Sequence, residues 1–178
     1  MAPRSRLAEA ALPKPPTILS STLVISEHCA MVGTHPVKIG NHTVIHPRCR
    51  LNSTLGPITI GDYCILNERT QITPSDSTGI TIDDHVVVET NAVVEARSLG
   101  EGCTVEVGAK IGKRANCKFT PLTVIADDEL VEDDTVVWGF GARRKDMSGS
   151  KEARLKSVEK QVEALRGVVA SNRTKFLS

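Results

Sequence analysis

Five histidines, His28, His35, His42, His46 and His85, all fall in the first half of a 178-residue chain. A histidine can take a proton from an acyl acceptor as a general base, and three converging imidazoles can hold zinc. His46 stands between Ile45 and Pro47, and His85 follows Asp83 and Asp84. No second acid or pocket motif converges on any of the five, so each reads as a surface or structural histidine. Glu89 and Glu95, six residues apart, form a carboxylate pair at face value; one repeat apart they fall on neighbouring corners or sides and read as solvated. Cys29, Cys49, Cys64, Cys103 and Cys117 are odd in number and lack CxxC spacing. They read as buried, reduced thiols of a cytosolic protein. The sequence therefore predicts no catalytic, cofactor-binding or metal-binding residues, and no cofactor.

Composition narrows the function classes further. With 22 basic and 21 acidic residues the net charge is +1. That balance offers no footprint for nucleic acid or an anionic membrane surface, and no apolar run is long enough to span a bilayer. Aromatics make up only 3% of the chain, which points to a core of stacked aliphatic layers.

The elements that position these residues follow from one period. Aliphatic residues recur every six positions as Ile18 and Val24, then Ile39, Ile45, Leu51, then Ile60, Leu66, Ile72. The series continues through Ile82, Val88, Val94, then Leu99, Val105, Ile111, with Cys117 in the next slot. Neither a helix nor an alternating strand has this period. A small or β-branched residue falls four positions after the start of most repeats, as at Thr22, Thr34, Thr43, Cys49, Cys64, Thr70, Val86, Ala92, Ser98, Cys103, Ala109 and Ala115. His28 takes that slot in an early repeat. The fold class predicted is all-β: a left-handed parallel β-helix of hexapeptide repeats, with one C-terminal α-helix. Each unit is a short strand and a corner, and three units close a turn of about eighteen residues. Gly, Asn and Asp suit the corners because they tolerate left-handed backbone.

Length changes at Pro36–Lys38, Gly56–Thr59, Thr78–Thr81 and Arg97–Ser98 place the irregularities at one corner, and about six coils fit between Ile18 and Val137. Residues 1–17 read as a disordered arm, 18–144 as the β-helix with a closing cap that includes Trp138 and Phe140, and 145–178 as a linker and helix. The helix, about residues 151 to 171, shows Leu155, Val158, Val162, Leu165 and Val169 on one face. That face packs on the solenoid itself or on a partner.

Ile39 to Thr73 resembles the gamma-class carbonic anhydrases in layout, including Pro47 and the Gly56-Pro57 corner. The family's zinc ligands fall on Thr73, Thr90 and Glu95, and its catalytic arginine is replaced within Asn52-Ser53-Thr54. Two threonines and a glutamate cannot supply three imidazoles.

A closer likeness rests on Thr43-Val44-Ile45-His46-Pro47-Arg48, on Gly56-Pro57-Ile58-Thr59-Ile60-Gly61, and on Val136-Val137-Trp138-Gly139 ahead of Arg143-Arg144. These resemble the dynactin subunit 6 family across about residues 18 to 144. The resemblance implies a non-enzymatic subunit at the pointed end of dynactin, cytoplasmic and associated with the microtubule cytoskeleton. Its partners would be the paralogous β-helix of dynactin subunit 5, the pointed-end actin-related protein and dynactin subunit 4, with dynein and cargo adaptors reached indirectly. Outward residues such as Arg48, Arg50, Arg69 and Arg97 would belong to an interface or to plain solvent. The alternative is a hexapeptide acyltransferase or a degenerate carbonic-anhydrase-like homotrimer, with residues shared between subunits.

Overall fold

The computed structural model describes residues 13–112, 118–119, 124–125, 135–139, 142–145 and 151–177. Strands are numbered in chain order, and three parallel sheets form the faces of a β-solenoid. The first face stacks β1 (Thr17–Leu19), β4 (Val37–Ile39), β7 (Ile58–Ile60), β10 (Ile80–Ile82) and β13 (Ser98–Leu99). The second stacks β2 (Val24–Ile25), β5 (Val44–Ile45), β8 (Ile65–Leu66), β11 (Val87–Val88), β14 (Thr104–Val105), β16 (Lys118–Phe119) and β18 (Thr135–Trp138). An antiparallel strand, β19 (Ala142–Lys145), closes this sheet against β18. The third face stacks β3 (Ala30–Gly33), β6 (Arg50–Ser53), β9 (Gln71–Ile72), β12 (Val93–Val94), β15 (Lys110–Ile111) and β17 (Val124–Ile125). Five complete three-strand coils lie among the described residues, where the sequence suggests about six.

The predicted six-residue columns are the core from the second coil onward. Ile39, Ile45, Leu51, Ile60, Leu66, Ile72, Ile82, Val88, Val94, Leu99, Val105 and Ile111 are all buried. Cys49, Cys64 and Cys103 fill small inward slots, as expected. The first coil is shifted by one residue. Ile18 is 62% exposed, and Leu19 lines up with inward Ile39. Ile25 is the inward residue beside Val24, and Cys29 takes the slot expected for His28. Elsewhere Thr34 and Ser98 face solvent, and Ala96 supplies the small inward residue next to Ser98. Cys117, Ala115 and Phe140 lie outside the described residues, as do residues 1–12 and the linker 146–150.

Two corners are tight and one carries the loops. Residues 34–36, 54–57 and 74–79 all lie where the third face turns into the first, as the length changes predict. The tight corners repeat a left-handed residue on the second to fifth coils. His42, Tyr63, His85 and Gly102 form one such column, and Arg48, Arg69, Asn91 and Gly108 the other, all with φ between 54° and 69°. Asn91 and the glycines are corner residues of the expected types; three aromatic rings and two arginines are not. A left-handed conformation costs a residue with a Cβ roughly 1 kcal/mol, so neighbouring contacts must hold these side chains in place.

Candidate functional site

The first tight corner is clasped by the one α-helix among the described residues, α1 (Lys151–Arg166), which is five residues shorter than predicted. On the second face the inward residue of each of the first four strands, β2, β5, β8 and β11, faces the core, and the outward residue is also aliphatic; on β14 the outward residue is Thr104. Val24, Val44, Ile65 and Val87 form a second apolar cluster with Val162, and Val158, Leu165, Val169 and Tyr63 pack around it. The helix face predicted from the sequence therefore packs on its own solenoid. The helix runs about 24 Å, against about 19 Å for five stacked rungs. It descends from the fifth coil toward the first. Leu155 approaches Gly102 so closely that a side chain there would meet its Cδ2 at 2.9 Å.

Below it, Glu159 Oε1 lies 3.2 Å from His85 Nε2. Arg166 Nη1 meets His42 Nδ1 at the second coil. Between them the rings of His42 and Tyr63 stack at 4.8 Å with 11° between planes, and Tyr63 and His85 at 5.4 Å with 4°. Sequence reasoning missed this ladder, although His42, Tyr63 and His85 recur one coil apart at the same corner.

Past the helix the chain folds beneath the first coil. Ser171 pairs with Ser26 as an isolated antiparallel bridge, and the Asn172 N–H donates to the Ile25 carbonyl at 2.9 Å. Arg173 Nη1 donates to the Ser20 carbonyl at 2.7 Å. Phe176, in a 3-10 turn (Arg173–Phe176), is 6% exposed and joins the main core. The C-terminus thus caps the N-terminal end of the solenoid. At the other end the cap differs from expectation. Trp138 is 41% exposed, and the antiparallel β18–β19 pair closes that sheet instead.

The remaining candidates are scattered. His28 is an exposed residue beside Glu27, and His35 Nδ1 lies 3.0 Å from the Ser53 carbonyl in a loop. His46 is half-buried at the second corner rather than simply outward. Its Nε2 is buried without a hydrogen-bond partner among the described residues, and burial pushes its pKa down against the pull of Glu68. Glu89 and Glu95 lie on neighbouring parts of the coil, as the spacing implies, but only one of them is exposed. Glu95 is exposed, whereas Glu89 lies at the second corner, accepting from Asn67 Nδ2 at 2.8 Å. Burial and the Glu106 carboxylate raise the pKa of Glu89.

Thr73 and Glu95 follow the paired residues Ile72 and Val94 on the third face, and Thr90 lies at the second corner. This donor set does not fit the zinc of the gamma-class enzymes. Among the described residues no group of three or more His, Cys, Asp or Glu is placed to hold a metal ion. The Cys29 thiol is held protonated by its contact with Cys49 and by burial, and burial pushes the Cys64 thiol up to about 12. No helix among the described residues is long and apolar enough to cross a membrane.

With this geometry in hand, comparison with known proteins adds sequence kinship. The chain is similar to dynactin subunit 6. It is 25% identical to that protein of Nematostella vectensis over 124 residues, 61% of this chain and 67% of the relative. The Dictyostelium discoideum protein is 26% identical over 128 residues, 68% of this chain and 66% of the relative. That of Xenopus tropicalis is 27% identical over 124 residues, with 61% and 62% covered. The matched stretch thus spans roughly two thirds of the relatives' own length. No family model matches the chain.

Among solved structures, a hexapeptide transferase family protein from Anaplasma phagocytophilum superposes with a TM-score of 0.66 at 17% identity. A Bacillus cereus putative acetyltransferase gives 0.62 at 12%. Each match covers 87% of this chain and 97% of the other. At such identities the likeness carries the hexapeptide-repeat β-helix fold and no activity.

Proposed function

We propose that this chain is a non-enzymatic structural subunit of a dynactin pointed-end assembly, paired with a paralogous β-helix of the subunit 5 type. It adjoins the actin-related protein and subunit 4 there, and supports dynein-driven cargo transport in the cytoplasm. The observation that carries this reading is the similarity to dynactin subunit 6 of three distant organisms along the coils. Thr73, Thr90 and Glu95, where the gamma-class ligands would fall, give it further support.

The mechanism in this reading is geometric. The second face carries α1, which leaves the first and third faces for neighbours. On the first face the outward row runs Ile18, Lys38, Thr59, Thr81 and Ser98, so its last three rungs are short and uncharged, a flat stretch suited to side-by-side packing with another prism. The third face presents Arg50, Gln71, Val93 and Lys110.

The test is affinity capture of the tagged full chain from the cytosol of its own cells, followed by sizing and mass spectrometry. Elution in a very large complex with an actin-related protein and a second hexapeptide-repeat chain is expected. A lone homotrimer with acyl-CoA turnover or bound zinc overturns the proposal in favour of the enzyme reading.

A further inference from the structure

The first coil of a solenoid has no coil beneath it, so one edge of each of its strands is available for pairing. In a parallel ladder alternate residues direct both backbone groups to one neighbour, and the residues between direct theirs the other way. Ala30 donates to the Cys49 carbonyl at 2.9 Å, and Val24 to that of Thr43 at 3.0 Å. Ile25, Met31 and Gly33 therefore face away from the second coil.

Among the described residues, the chain covers two of these three. Gly33 donates to the Pro13 carbonyl at 2.9 Å. Ile25 donates to Ser171 Oγ at 3.1 Å and accepts from Asn172. Met31 stands between them on β3. Its N–H and C=O are aimed at a cleft of about 200 Å³ whose apolar walls include Pro15, Cys29 and Phe176. Lys14 and Lys175 also line it, and both are exposed. The ammonium groups meet backbone carbonyls rather than carboxylates: Lys14 Nζ donates to Lys175 at 2.9 Å, and Lys175 Nζ to Glu27.

We propose that this end of the solenoid is a docking site for an extended acidic segment of another protein. The segment adds as a strand beside Met31, places one large aliphatic or aromatic side chain in the cleft, and sets its carboxylates on Lys14 and Lys175. Main-chain pairing supplies affinity in such a mode, and the side-chain pocket supplies selectivity. The cleft is smaller than the roughly 300–1,000 Å³ typical of small-molecule sites, which favours a single side chain over a cofactor. Covalent capture by Cys29 is not the chemistry, because its thiol is held protonated and only a thiolate attacks. This inference stands on the geometry of the chain and does not rest on the dynactin reading.

The test uses fluorescence anisotropy with the full chain and a labelled peptide of about nine residues. The peptide alternates Thr and Val around a central Leu flanked by Glu. Saturable binding with Kd of about 10–100 μM is expected, with slowed hydrogen exchange at the Met31 amide. Lys14→Glu with Lys175→Glu is expected to weaken it at least tenfold, and salt at about 0.5 M to weaken it severalfold. Ala30→Trp, also at the cleft, is expected to weaken it without changing the salt dependence. Thermal melts check that the variants keep the parent fold. No saturation at about 1 mM peptide overturns the proposal, as does binding that the charge reversals and salt leave within twofold. Binding that emerges only after removal of residues 1–12 assigns the cleft to this chain's own N-terminus and equally overturns it.

Discussion

The imidazole of His42 lies face to face with the ring of Tyr63, 4.8 Å between centroids, although both residues have left-handed backbone. Stacking worth about 0.5–1.5 kcal/mol per pair offsets a backbone cost of roughly 1 kcal/mol per residue. This gives an inverted order for two substitutions at φ 54°. Both Tyr63→Ala and Tyr63→Gly lose the two stacking partners and the contacts with α1, at about 3 kcal/mol. Glycine escapes the left-handed penalty, so Tyr63→Gly is expected to be the more stable by about 0.5–1 kcal/mol. Urea unfolding of the pair measures it. Alanine equal to or better than glycine would show that the corner carries no backbone strain.

Val162 is fully buried between the helix and the outward aliphatics of the second face. Val162→Ala should cost about 2 kcal/mol. In Val162→Asp an unpaired charge would have to be buried, so α1 should leave the solenoid instead. Hydrogen exchange then shows amides 151–166 losing protection while Ile45, Leu66 and Val88 keep theirs. Equal loss at those core amides would mean that helix and coils unfold as one unit.

Glu89 gives a pH signature. Its folded-state pKa is raised by burial and by Glu106. The folded protein therefore holds a proton that the unfolded chain has released, and stability falls as pH rises through the interval above the ordinary value of 4.5. Glu89→Gln keeps an acceptor for Asn67 and removes the charge. It is expected to match the parent near pH 4 and to melt about 1–2 °C higher at pH 7, the side chain being partly solvated. A variant that melts lower at pH 7 contradicts the assigned environment.

The coils are legible because neither a helix nor an alternating strand repeats its aliphatic residues every six positions. The first coil departs from that period by one residue for a physical reason. Ile18-Leu19 and Val24-Ile25 are aliphatic pairs, and a one-residue slip turns each to the opposite face. On the second face the outward member is apolar as well on the first four coils, where it packs against α1; period alone cannot tell Val24 from Ile25 or Val44 from Ile45. The ladder of His42, Tyr63 and His85 leaves a signal in its one-coil spacing, but its residue types are not those that corners usually favour. Six residues along a triangular coil lead from Glu89 to Glu95 on the next side, as the spacing implies, but the half-burial of Glu89 against Asn67 depends on the neighbouring coil and leaves no mark in the period. The cap at Phe176 leaves no such trace, since it joins the last residues to the first coil and belongs to no repeat.

That cap makes the most exposed claim about the fold. Phe176 is buried in the main core, while the next residue, Leu177, is 48% exposed. Thr17 Oγ1 donates to the Phe176 carbonyl at 2.7 Å, so the tail is tied to β1 as well as to Ile25 on β2. Phe176→Ala removes the ring and loosens these ties, at about 3 kcal/mol. Leu177→Ala should stay within about 0.5 kcal/mol of the parent. Loosening the tail also uncovers the strand edge at Ile25, and an uncovered edge pairs with other chains. Phe176→Ala should therefore associate with rising concentration in light scattering, while Leu177→Ala stays like the parent. If Phe176→Ala remains as stable and as dispersed as Leu177→Ala, the C-terminus does not cap the first coil.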